Sequence, residues 1–366
     1  MDENSNDPWQ VGVDSGRVKL LSPAGYLFTG IYLTVLGVLA VLGNGLVFCV
    51  LVRKRTLRRK PHNMLLISMA ASDLVITMCG YPFTTLSSYK NQYLFGWFYC
   101  ILQGFITSLC AIGTMNTLVV ISIYRYITVC KPQLKHLLTL EHTYKVLLIV
   151  WLYTLFWTVP PLMGWNSYTI EPFGTSCSMD WISEDPYDIM YIYCVIGLFY
   201  VVNTFIMAFC YSSIVKKSKE LGMMKSGSFN VDEAKKHHKM KVEVKVTGMC
   251  LCLVLVYFIV WSPYALVSLW SVYDRNIPIW ATTLPTLFAK LASMLNPFVY
   301  VATNTSFKNA ARSFFCDKKN RVSSLAYNCV KTAKGSKDVY TIDKTKEGIY
   351  IGKNEVHMPT KDATFF

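Results

Sequence analysis

The chain has 366 residues, of which 53% are hydrophobic and only 16% charged, where a soluble protein carries about 25% charged residues. That deficit argues against two or three soluble domains and for long apolar segments. The net charge of +14 raises a nucleic-acid role, which the placement of the basic residues argues against.

The first 22 residues lack a basic start followed by an apolar core, so they read as a short outer tail and not as a cleaved signal peptide. "YLFTGIYLTVLGVLAVLGNGLVFCVLV" (26–52) follows without a single charge. It exceeds the roughly 20 residues that a bilayer crossing needs. Comparable runs near 63–88, 98–124, 144–164, 189–215, 246–271 and 278–302 bring the predicted crossings to seven. Pro160, Pro161, Pro263 and Pro297 sit inside or at the ends of these runs, where membrane helices tolerate kinks. Lys and Arg gather in "VRKRTLRRK" (52–60), in 216–245 and in the tail, whereas the connections near 89–97, 165–188 and 273–277 together carry few bases and several acids. This alternation is the positive-inside pattern. It places the N-terminus outside and the C-terminus in the cytoplasm, with the plasma membrane as the expected location and no nucleic-acid partner. Residues from 317 onward are polar, basic and aperiodic, and are expected to be disordered.

Polar residues within apolar spans need a partner or a task. Asn44 lies in the first span and Asp73 in the second, while the seventh holds Asn296, Pro297 and Tyr300. They would share one polar cluster in a bundle, or stand as three independent structural groups. Arg125 ends the third span 25 residues past Cys100, about 37 Å along a helix. Glu243, in "KMKVEVKV" before the sixth span, is available to pair with it; the plainer alternative is a snorkelling Arg and a solvated Glu. Most of the twelve cysteines lie within spans and read as small apolar fillers. Cys100 and Cys177 lie on the outer side, where a disulfide would persist. Cys316 falls near the inner leaflet beyond the seventh span, as a palmitoylation site or an unmodified thiol.

"FAKLASMLNPFVY" (288–300) places Lys290 in mid-span, too far from either surface for easy snorkelling. It is either paired with a buried acid or a covalent site, because a lysine amine condenses with aldehydes.

Together "GNGLV" with Asn44, "AASDL" with Asp73, Cys100 and Cys177, "YRY" (124–126), Trp151, "WSPY" (261–264) and "NPFVY" (296–300) resemble rhodopsin-like G-protein-coupled receptors from about residue 23 to 316. A lysine six residues before the Asn of the last motif is similar to the opsins, which bind retinal there. "IPIWATTLPTLFAK" and "EPFGTSCSMDW" look like neuropsins, peropsins and related invertebrate opsins.

The resemblance implies an all-α fold, a seven-transmembrane helix bundle with a short amphipathic eighth helix. Residues 1–22 would be an extracellular tail, 23–316 the opsin domain and 317–366 a cytoplasmic tail. It implies a Cys100–Cys177 disulfide and covalently bound retinal on Lys290 as a protonated Schiff base. Vertebrate visual pigments carry an acid at the position of Gln103, which cannot ionise. The counterion is therefore expected at Glu171, in the loop before Cys177, with Gln103 assisting through water or a hydrogen bond. Trp261, Tyr264, Gln103, Thr107, Ser108 and Ala111 would line the retinal pocket. Arg125, Glu243, Tyr211, Asn296, Pro297 and Tyr300 would serve activation and G-protein coupling.

Two positions depart from the pattern. Tyr124 stands where an acid is usual, which implies a weaker dark-state restraint on Arg125. Asn203 stands where most members have Pro, which implies a straighter fifth span. The implied function is a light-activated receptor, not an enzyme, acting on a heterotrimeric G protein, with arrestin, a receptor kinase and membrane lipid as further partners. A peropsin-type retinal photoisomerase is the alternative, and a light-independent receptor for a diffusible ligand a third reading.

Overall fold

The computed structural model describes residues 7–223, 231–274, 276–303, 307–313, 339–345 and 348–354. After a short helix α1 (Pro8–Asp14), α2 spans Pro23–Arg53. Ser22 accepts from the Gly25 N–H and Pro23 takes the first helical position, a start in which the missing proline N–H costs nothing. A brief α3 (Arg55–Arg58) leads to α4 (Pro61–Cys79), which continues with a break at Gly80 into α5 (Tyr81–Tyr89). The 35-residue α6 (Gly96–Cys130) is the third span, and α7 (Leu140–Thr158) the fourth. Two short strands, β1 (Tyr168–Ile170) and β2 (Cys177–Met179), pair antiparallel with Ile170 opposite Cys177. The fifth span joins α8 (Pro186–Val195) through a turn at Ile196–Val202 to α9 (Asn203–Met223). The sixth lies within α10 (Val231–Tyr273) and the seventh is α11 (Ile279–Thr303).

Among the described residues, six helical spans are long and apolar enough to cross a membrane. The seventh, α11, has 25 residues but carries Lys290, Asn296 and four threonines, which lower its apolar character. Large apolar side chains such as Leu42, Phe98, Phe156, Phe205 and Leu266 face outward, as expected of helices solvated by lipid. Helix α6 packs against α4, α7, α9, α10 and both strands, so it forms the axis of the bundle. Close packing relies on small residues. A Cβ at Gly43 would come within 2.6 Å of Pro297, and one at Gly104 within 2.8 Å of the Tyr168 ring.

The fifth span, which has Asn203 in place of the usual proline, is irregular rather than uniformly α-helical. Ile196–Val202 is a seven-residue π-helical stretch ending at Asn203. The expected eighth helix is met by helical backbone at 307–313, while Cys316 lies outside the described residues. Among the described residues beyond 313, β3 (Val339–Thr345) and β4 (Gly348–Asn354) pair antiparallel.

Candidate functional site

An apolar cavity of about 170 Å³ lies inside the bundle, and Lys290 and Glu171 both line it. Of the residues expected around it, Thr107, Ser108, Ala111, Trp261 and Tyr264 are in its wall, with Ile196, Phe199 and Tyr200 from the fifth span. Trp261 stacks on Tyr257 with centroids 5.6 Å apart and meets Tyr264 edge-on at 5.9 Å. Its buried indole N–H has no hydrogen-bond partner. Lys290 Nζ is 5.7 Å from the centre of the Tyr81 ring, within cation–π range. The Tyr81 hydroxyl donates to the Lys290 carbonyl at 2.6 Å. Tyr81 could not be singled out from the sequence, because an aromatic residue in an apolar run carries no positional signal.

Glu171 is placed by the loop's own chemistry. The run Glu171-Pro172-Phe173-Gly174 is a four-residue turn in which the Gly174 N–H donates to the Glu171 carbonyl at 2.8 Å. Proline at the second position suits such a turn, and Gly174 has a φ of 74°, a conformation open to glycine at little cost. The Glu171 N–H donates to the Ser176 carbonyl at 2.8 Å. The Cys177–Cys100 disulfide, with Cα atoms 5.3 Å apart, ties the hairpin to the start of α6. The carboxylate is thereby held at 7% exposure, accepting from Thr286 Oγ1 at 3.1 Å. Burial pushes its carboxyl above the usual glutamate range; the Lys290 ammonium and hydrogen bonds from Ser178 and Thr286 offset only part of that. A buried acid of this kind favours a cationic neighbour.

Gln103 is not among the residues in the cavity wall, and both hydrogens of its amide are engaged elsewhere. Its Nε2 donates to the Gly80 carbonyl at 3.0 Å and to Thr84 Oγ1 at 2.8 Å, and its Oε1 accepts from the Tyr93 hydroxyl at 3.2 Å. Thr84 donates onward to Ser176 Oγ at 3.2 Å. Gln103 therefore braces α5 and the hairpin.

Deeper in the bundle, Asn296 Nδ2 donates to Asp73 Oδ2 at 2.8 Å. Asn44 Nδ2 bonds the Ser293 carbonyl at 2.7 Å, next to this pair in sequence and on the same helix, α11. At the end opposite the disulfide, Arg125 Nη1 is 3.4 Å from Glu243 Oε2. Lys135, in the 3₁₀ turn Pro132–Leu137, shares that carboxylate at 2.9 Å. Lys135 was missed because loop lysines are common and only the fold sets one beside Glu243. Tyr124 is buried and its hydroxyl is 3.2 Å from Thr143 Oγ1 on α7. The hydroxyls of Tyr211 and Tyr300 and the Arg125 Nε are buried without hydrogen-bond partners.

The family model described as 7 transmembrane receptor (rhodopsin family) matches residues 43–300. Opsin-5 of Mus musculus is 34% identical over 287 residues, covering 77% of this chain and 74% of its own. A G0-coupled rhodopsin of Mizuhopecten yessoensis is 28% identical over 93% of this chain and 87% of its own. The crystal structure of squid rhodopsin superposes with a TM-score of 0.76 at 27% identity, covering 84% of this chain and 88% of that one. With the seven-helix bundle and its enclosed lysine already described, these likenesses settle the assignment: the chain is an integral membrane protein of the rhodopsin family of seven-transmembrane receptors, and within it a light-sensing opsin.

Proposed function

We propose that Lys290 carries retinal as a protonated Schiff base, with Glu171 as counterion, and that light-driven isomerisation signals to a heterotrimeric G protein. The observation that carries this reading is the shared cavity: one amine and one buried carboxylate in walls that are otherwise mostly apolar. Those walls fit a long apolar aldehyde, and the amine fits its reactive end. Retinal, when bound, supplies light absorption and a change of shape on isomerisation.

The chain's residues do the rest. Glu171 holds the proton on Lys290 Nζ, since a buried cation needs a near anion. Because that anion sits on the hairpin turn and not at position 103, the proton stays on Nζ after illumination and a second photon restores the dark form. Trp261 gives up no hydrogen bond when it is displaced. Its movement is passed along α10, parting Glu243 from Arg125 and Lys135. Tyr211 and Tyr300, whose hydroxyls lack partners, then stabilise the opened end. This is a population shift driven by ligand shape. The N-terminus is extracellular, the C-terminus is cytoplasmic, and the receptor resides in the plasma membrane. Arrestin and a receptor kinase act at the cytoplasmic end.

The test is a pair of absorption spectra, before and after light, on receptor reconstituted with retinal, with light-dependent GTP exchange measured in parallel. The wild type should show a band that shifts on illumination, and Glu171→Gln should lower the imine pKa. An unchanged imine pKa removes Glu171 from the role. A shifting band without exchange on any G protein class favours the photoisomerase, and the buried Tyr124 in place of an acid beside Arg125 is the observation on its side.

A further inference from the structure

The fifth span contains a π-helical turn with no evident local cause. Wide turns are rare and concentrate at functional sites. "IGLFYVV" (196–202) holds no proline, and a Cβ at Gly197 would meet nothing within 4 Å, so no close approach demands the irregularity. The residue just beyond the turn, by contrast, is firmly held. Asn203 Nδ2 donates to Asn116 Oδ1 on α6 at 3.0 Å, and Asn116 Nδ2 donates to Thr154 Oγ1 on α7 at 3.1 Å. Thr154 Oγ1 donates in turn to the Val150 carbonyl at 2.7 Å. All three side chains are buried, where an unmade bond is expensive.

We infer that Asn203 and Asn116 are positioning residues that hold the wide turn at Ile196–Val202 and so set the wall which the fifth span gives the cavity. The consequence is geometric. Each residue of an α-helix advances by about 100°, so losing the extra residue of the wide turn swings 196–200 by about that angle relative to α9. Ile196, Phe199 and Tyr200, which line the cavity, would turn out of it. Tyr200 would also lose Ser262 Oγ on α10, now 2.5 Å from its hydroxyl. Locally the turn is already provided for, because the Tyr200 carbonyl accepts from Thr204 Oγ1 at 2.5 Å and from the Asn203 N–H. The amide pair therefore does by side-chain bonding what a proline does by ring sterics.

The spectroscopic arm of the test rests on the retinal reading; the exchange arm does not. Full-length wild type, Asn203→Ala, Asn116→Ala, the double alanine variant and Asn203→Pro are compared. The readouts are the dark absorption maximum after addition of retinal and amide hydrogen exchange over 196–202 without it. Each single alanine variant should shift the band and speed exchange about tenfold, the factor carried by one buried hydrogen bond. The double variant should be no worse than either single one. Asn203→Pro should restore both readouts, since its ring excludes the carbonyl four residues earlier while Tyr200 keeps the Thr204 hydroxyl. Unchanged band and exchange in the alanine variants, additive effects in the double, or a proline variant that behaves like alanine would each overturn the inference. If the alanine variants do not fold, Asn203→Pro decides alone: wild-type readouts support the inference and altered ones overturn it. A wild type with no band counts against the retinal reading, and the exchange arm still judges the asparagines.

Discussion

The two ends of the bundle are built on different terms. At the disulfide-bearing end several polar groups are joined in one bonded set, although the hydroxyls of Tyr26 and Ser87 there are buried without a partner. Gln103, Thr84, Ser176 and Tyr93 form a connected set, and Ser88 meets Thr175 at 3.1 Å. Val18, Tyr93, Cys100, Ile170 and Cys177 pack as a core beneath them, with Trp9, Val13 and Phe95 alongside. At the opposite end the arginine–glutamate pair stands at 3.4 Å, and buried groups on Arg125, Tyr211 and Tyr300 have no partner. Unmade bonds of this kind mark places where a second arrangement can compete. One end is clamped by a disulfide and a connected set of hydrogen bonds, whereas the other is joined by the Arg125–Glu243–Lys135 ion pairs.

The largest break in this contrast should come from Cys100→Ser. The disulfide spans 77 residues, and its loss should remove about 2–5 kcal/mol of stability, read by thermal unfolding of ligand-free receptor. Survival of the wild-type melting temperature would show that the packed loop alone holds that end.

Next is Thr84→Val. It strips a buried hydroxyl that accepts from Gln103 and donates to Ser176, at an expected cost of about 1–3 kcal/mol. A neutral result would mean that the bonded set at this end contributes no rigidity.

The smallest effect on stability should come from Tyr300→Phe. Its hydroxyl has no partner to lose, so the melting temperature should stay within about 0.5 kcal/mol equivalent. Under the proposed function, in which the hydroxyl stabilises the opened end, light-driven GTP exchange should nevertheless fall. A substantial loss of stability would erase the proposed distinction between the two ends.

Much of this was legible along the chain because membranes simplify the reading. Spans such as 26–52 are visible since charge is excluded over a fixed length, and Lys290 stands out as a violation of that rule. The seventh span was legible from the motifs it carries more than from hydropathy, which its polar residues weaken. Gln103 was read as a helper to the imine because sequence gives its position along α6 but not its rotation partners. The π-helical stretch in the fifth span is not legible, because proline is the familiar sequence sign of an irregular helix and 196–202 holds none.

By itself the sequence determined the number and order of the spans, the single amine in mid-membrane and the absence of an ionisable group at position 103. These follow from residue type and spacing, which act locally. Only the tertiary structure decided that Glu171 turns inward, that Gln103 is spent on α5, that Lys135 shares Glu243, and that Asn203 reaches Asn116. Each of those depends on which faces of separate helices meet, and helix rotation and loop closure are set by packing across the whole bundle.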